Sequence, residues 1–199
     1  MKTIRFLLSF IWNFKTPIPR RKYAISVFLP LIVIWAGCSR IDSIKEMVEA
    51  MQSHQIVIPY SNMKYICERG IVTSSFNVQS PHFQLVVFSD STRCSSCTIN
   101  RLSRWNEFLN LEREGKLQLT FIIHPPKEEI GKVVESYYSS GLEHPILIDT
   151  CGIFLEKNPH IPEEPLYHTF LIDSIGKVVL VGNPLENGKI KELFNKIIK

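Results

Sequence analysis

What most constrains this chain is the succession of patterns between residues 83 and 115. Leu85-Val86-Val87-Phe88 is a continuous apolar run, the kind a sheet buries on both faces. A polar loop over 89–93 leads into Cys94-Ser95-Ser96-Cys97. Ile99, Leu102, Trp105, Phe108, Leu109 and Leu111 then recur at helical intervals until Gly115 ends the pattern. The order is therefore buried strand, loop, C-x-x-C and long helix. A cysteine at a helix start meets unpaired N–H groups and the positive end of the dipole, both of which favour thiolate. Thiolate is the attacking form in disulfide exchange. Cys94 is expected as the more exposed nucleophile and Cys97, one turn inside, as the resolving thiol. Arg93, beside Cys94, is a candidate for stabilising that thiolate or else a solvated loop residue.

The remaining patterns extend this start into an α/β domain over 81–199. A second apolar strand is expected over 117–123, ended by Pro125-Pro126, and a helix over 128–138 closing at Gly141. A short strand over 145–149 precedes an irregular stretch with Pro159, Pro162 and Pro165. Thr169 to Asp173, the turn Ser174-Ile175-Gly176 and Val178 to Val181 read as a β-hairpin, followed by an amphipathic helix over 186–198. Helix-joined strands run parallel and the hairpin supplies an antiparallel edge, so a mixed central sheet flanked by helices is expected. Before it, 38–80 reads as a tether and N-terminal extension packing on the domain. That extension carries a helix over 41–53 with Ile41, Ile44, Met47, Val48 and Met51 on one face. A strand at Ile56-Val57-Ile58 follows, with weaker strand hints at 65–66 and 71–72.

Charge locates the rest of the organisation. The chain has 23 basic and 19 acidic residues, yet Lys2, Arg5, Lys15, Arg20, Arg21 and Lys22 all precede residue 38 and no acid does. The remainder carries 17 basic against 19 acidic residues, which gives no footprint for nucleic acid. Arg20-Arg21-Lys22, an apolar run over 23–35 interrupted by Pro30, and Ala36-Gly37-Cys38 form the three parts of an export signal over 1–37. The run falls short of the roughly 20 residues that span a bilayer. The ending is similar to a lipobox, with Trp35 where an aliphatic residue is usual, and marks Cys38 for lipidation. A retained signal anchor is the competing reading. Either one places the body in the cell envelope of a bacterium, facing the periplasm.

From Phe83 onward the chain resembles the membrane-tethered thiol–disulfide reductases of the TlpA/ResA type. The resemblance rests on Leu85-Val86-Val87-Phe88, on the Cys94–Cys97 motif and on Thr169-Phe170-Leu171-Ile172-Asp173 with Gly176-Lys177-Val178. It implies a thioredoxin-like fold and reduction of disulfides in exported proteins or small thiols. It further implies no bound cofactor, and electrons drawn from a membrane thiol–disulfide carrier. Such proteins place a cis-proline before the hairpin; the matching position here is Tyr167, with Pro165 two residues earlier. Tyr167 and His168 are therefore the expected substrate-groove residues. Asn100 stands where relatives often carry Glu.

Alternatives remain open on the residues themselves. Cys94–Cys97 could be a structural disulfide in a non-enzymatic binding module. It could instead join His168 as a copper-chaperone site, although no metal is the expectation. Cys67 and Cys151 could form a bridge or be buried small apolar groups. His124 and His144 read as structural, and Trp105 and Phe108 as core.

Overall fold

In the computed structural model, the described residues are 43–67, the backbone of 70–72, and 82–199. The fold described below is that of the unit Lys45–Lys199, with the first turn of its leading helix. The expected leader and Cys38 lie outside the described residues.

Among the described residues, seven strands form one sheet in the order β2-β1-β5-β4-β3-β6-β7. They are β1 (Lys64–Cys67), β2 (Gly70–Val72), β3 (Phe83–Ser89), β4 (Gln118–Ile123), β5 (Ile146–Ile148), β6 (Thr169–Asp173) and β7 (Val178–Val181). β4 runs parallel to both β3 and β5, whereas β6, β7, β1 and β2 join antiparallel. The mixed sheet thus follows the connectivity rule: helical crossovers give parallel pairs and the late hairpin an antiparallel edge. Helices are α1 (43–52), α2 (Ser95–Leu102), α3 (Leu109–Arg113), α4 (Ile130–Ser139), α5 (Ile153–Lys157) and α6 (Gly188–Ile198).

Alternation along β3 divides the core in two. Leu85 and Val87 pack with Ile99, Leu102, Val133, Tyr137 and Phe194, beneath α2, α4 and α6. Val86 and Phe88 face the other way, onto Met51, Phe154, Ile161 and Tyr167. Being apolar on both faces, β3 reads as an unbroken hydrophobic run.

Three expectations change. The long helix after the cysteines is interrupted: a 3-10 segment, Ser103–Phe108, lies between α2 and α3. Trp105 and Phe108 in that segment are buried, and their rings lie 5.4 Å apart. Ile56-Val57-Ile58 is not a strand. One isolated bridge joins Gln55 to Lys177, and the Val57 backbone is held by the side-chain amide of Asn158. On α1, Met51 is buried while Ile44 and Met47 remain exposed. The hints at 65–66 and 71–72 become β1 and β2, and β1 extends the sheet beside β5.

Candidate functional site

The site grows from the end of β3. Ser89 closes the strand, and Asp90 begins the loop with a carboxylate that accepts from the Thr92 N–H at 3.0 Å and its hydroxyl at 2.6 Å. This side-chain turn fixes the approach to α2. Cys94 is the N-cap of α2, with φ −62° and ψ 103°, and its sulfur accepts the Cys97 N–H at 3.2 Å. N-caps are ordinarily Ser, Thr, Asp or Asn, whose oxygen takes this bond. Here sulfur holds the position where helix N–H groups and dipole favour negative charge.

Cys94 and Cys97 are joined as a disulfide with Cα atoms 5.3 Å apart. Both residues are exposed, so exposure does not separate their roles as expected. Their surroundings differ at the cap position: among the described residues only the Cys94 sulfur receives a helix N–H. Ser95 beneath them is buried, and its hydroxyl has no hydrogen-bond partner.

A cavity of about 520 Å³ opens over the pair. Arg93 lines it, and so do Arg101 and Arg104. The opposite wall comes from the turn before β6, the 3-10 segment Pro165–Tyr167. Pro165, Leu166 and His168 face the cavity, whereas Tyr167 does not line it. Tyr167 is 4% exposed and belongs to the core with Phe88 and Phe154; Leu166 is 60% exposed. The 3-10 turn rotates successive side chains by about a third of a turn. It therefore presents Leu166 to the cavity and turns Tyr167, the expected groove residue, into the core.

His168 is buried behind this wall. Its backbone carbonyl accepts from the Phe88 N–H at 2.8 Å, and its ring lies 5.0 Å from that of Phe88. Nε2 stands 2.9 Å from the Pro162 carbonyl oxygen, which can only accept, so Nε2 carries the hydrogen. Nδ1 then holds a lone pair in the neutral ring. It has no hydrogen-bond partner and faces the Asp90 carboxylate at 3.9 Å. Burial pushes the His168 pKa down; the Pro162 bond and the Asp90 charge oppose this without reversing it. Among the described residues no three His, Cys, Asp or Glu side chains are grouped to hold a metal ion.

Cys67 and Cys151 are both thiols and are not bridged to each other. Cys151 is exposed, contrary to its expected role as a buried apolar group, and Cys67 is half-buried. His144 is structural: its Nε2 meets the Glu112 carboxylate at 3.2 Å. His124 Nδ1 contacts the Asp149 carbonyl oxygen at 2.6 Å. The Asp149 carboxylate accepts from Ile153 and Phe154 N–H groups, which starts α5.

Arg101, Arg104 and Leu166 were missed as site residues. A usable signal existed for the arginines, which follow Cys97 by four and seven residues and so share its helix face. None existed for the approach of Asp90 to His168, residues brought together by the pairing of β3 with β6.

No protein-family model and no curated protein matches the chain. Among solved structures it is similar to the bacterioferritin comigratory protein of Xanthomonas campestris, whose alkyl peroxide reduction activity that structure concerns. Identity is 12% and the TM-score 0.49, over 72% of this chain and 98% of that one. A PrxQ mutant from Xylella fastidiosa aligns at 13% identity and TM-score 0.47, over 72% and 92%. An uncharacterised thioredoxin-like protein of Porphyromonas gingivalis aligns at 19% and 0.45, again over 72% and 92%. By the topology of its sheet, the described unit is a thioredoxin-like α/β fold with the cysteine pair at the start of its first core helix.

Proposed function

We propose that the chain is an extracytoplasmic thiol–disulfide oxidoreductase of the TlpA/ResA type, working as a reductase. The observation that carries this reading is Cys94 sulfur at the N-cap of α2, bonded to Cys97 and exposed at the mouth of a cavity. In the reduced state the Cys94 thiolate attacks one sulfur of a substrate disulfide. The substrate S–S bond breaks, a mixed disulfide forms, and the departing thiolate takes a proton from water. The Cys97 thiolate then attacks Cys94 sulfur and expels the second substrate thiolate. Two electrons pass to the substrate, leaving two substrate thiols and the Cys94–Cys97 disulfide. Arg93 favours the attacking thiolate by its charge, and Pro165 and Leu166 form the wall against which substrate lies, with His168 buried behind it.

The leader supports lipidation at Cys38 and a membrane-anchored position facing the periplasm. The substrates are disulfides of exported proteins or small thiols, and a membrane dithiol carrier re-reduces the pair. No bound cofactor takes part in these steps.

The test is a redox titration of the full chain across glutathione ratios, counting alkylated thiols by mass. A two-electron midpoint between about −270 and −120 mV, abolished in Cys94→Ser, is the expected result. A pair still oxidised below roughly −300 mV would identify a structural disulfide and overturn the reading.

A further inference from the structure

Resting on the oxidoreductase reading, we infer that the cavity selects an extended peptide with acidic residues two and four positions from its disulfide-bonded cysteine. The cavity is lined by three arginines, Arg93, Arg101 and Arg104, against one acidic residue, Glu186. All three arginines are exposed, and none of their side chains forms an ion pair or hydrogen bond within the described residues. The remaining described arginine, Arg113, differs: it bonds Asn110 and pairs with Glu143 at 3.6 Å. Unpaired guanidiniums are thus concentrated around the disulfide.

Spacing specifies the partner further. Cys97, Arg101 and Arg104 fall at successive turns of one helical stripe, since α2 passes directly into the 3-10 segment. Four residues of α-helix rise about 6 Å. Three residues of 3-10 helix rise about 6 Å again. Alternate side chains of an extended peptide recur every 6–7 Å or so on one face. A peptide laid along the stripe with its cysteine at the Cys94–Cys97 pair and its C-terminal side running toward Arg104 therefore brings its second and fourth following residues to Arg101 and Arg104. Leu102 and Trp105 lie beneath the same path and supply apolar contact for the intervening backbone. Helix-dipole compensation accounts for a cation at Arg101, in the last turn of α2. It does not account for Arg104 beyond that end, or for Arg93 before the helix begins.

The chemistry is the exchange described above, with the peptide's cysteine as the sulfur accepting electrons. The experiment uses the reduced full chain and synthetic peptides, each carrying its cysteine as a mixed disulfide with 2-mercaptoethanol. One peptide has Glu at the second and fourth positions after the cysteine, one has Gln there, and one has Glu at the first and third. Release of peptide thiol is followed by mass. The Glu peptide should react about tenfold faster than the Gln peptide, a difference of about 1.4 kcal/mol. The shifted Glu peptide should fall between them. In Arg101→Ala/Arg104→Ala the Glu-to-Gln ratio should approach one, while Arg113→Ala keeps the wild-type ratio. Salt at 1 M should also reduce it, because the Debye length drops from about 10 Å at 0.1 M to about 3 Å. A wild-type ratio near one, or a ratio indifferent to the double substitution, overturns the inference and leaves the oxidoreductase reading standing. Failure to reduce any of the peptides overturns both.

Discussion

A sulfur atom in the N-cap position is a weaker acceptor than the oxygen usually found there, so the helix start stabilises it most once it is charged. This gives the two cysteines different chemistry although both are exposed. With the reduced full chain at neutral pH, limiting iodoacetamide should modify Cys94 before Cys97, read by peptide mass. In Cys97→Ser a mixed disulfide with a peptide substrate should persist, because no second thiol resolves it. Cys94→Ser should trap none. Equal labelling, or trapping in both variants, would contradict the assigned roles. The pair itself was legible because strand, loop and C-x-x-C are neighbours in sequence, where short-range rules hold. Leu166 was not: which of three consecutive side chains meets the cavity depends on a 3-10 turn that the surrounding prolines permit but do not dictate.

At the scale of elements, apolar patterning located β3, β4, β6 and β7 as continuous runs and α6 by its helical period. It failed at Ile56-Val57-Ile58 for a definite reason. The Val57 backbone has its strand-like bonds, but their partner is one side chain. Asn158 accepts from the Val57 N–H and donates to its carbonyl, both at 2.8 Å, and it also donates to the Phe154 carbonyl at 2.7 Å. No local pattern reveals a partner 101 residues away. Asn158→Ala removes three bonds from a fully buried position and should cost about 2–4 kcal/mol, with the Val57 amide losing hydrogen-exchange protection. Unchanged stability together with a still-protected Val57 amide would refute this stitching role. The β6–β7 turn docks on the same segment. Gly176 has φ +84°, and a Cβ there would lie 2.8 Å from the Ile56 carbonyl oxygen. The Ile56 N–H also donates to the Gly176 carbonyl at 2.8 Å. Gly176→Ala combines an unfavourable φ with a backbone clash and should cost about 1–3 kcal/mol, lowering the urea midpoint without changing the slope. An unaltered midpoint would show that the turn and segment 56–58 can separate freely.

Over the whole unit, helix-joined strands running parallel and a terminal hairpin were enough to anticipate a mixed sheet, because connection length restricts strand direction. The place of β1 beside β5 was not recoverable that way, since that antiparallel partnership joins segments about 80 residues apart. Long-range burial also sets how the unit responds to acid. Burial holds His168 below the ordinary histidine value of 6.5, and burial with the neighbouring His54 does the same for His160. A depressed histidine means that the unfolded chain takes up the proton first. Stability is therefore complete above about pH 6.5 and declines as the pH falls toward the folded values. Glu112 also lies below its ordinary value of 4.5. Its burial acts the other way and is outweighed by the hydrogen bond and charge of His144, with the Leu119 N–H and Arg113 assisting. Its stabilising contribution is present above about pH 4.5 and is lost as pH falls through the folded value. Urea midpoints measured from pH 7.5 to 3 should thus fall in two stages. His168→Gln, whose amide can still donate to Pro162, should flatten the stage below pH 6.5 in part and leave the share due to His160. Glu112→Gln should flatten the stage below pH 4.5. If His168→Gln left the upper stage as steep as before, the buried, unpartnered Nδ1 would not be what makes the folded chain resist protonation there.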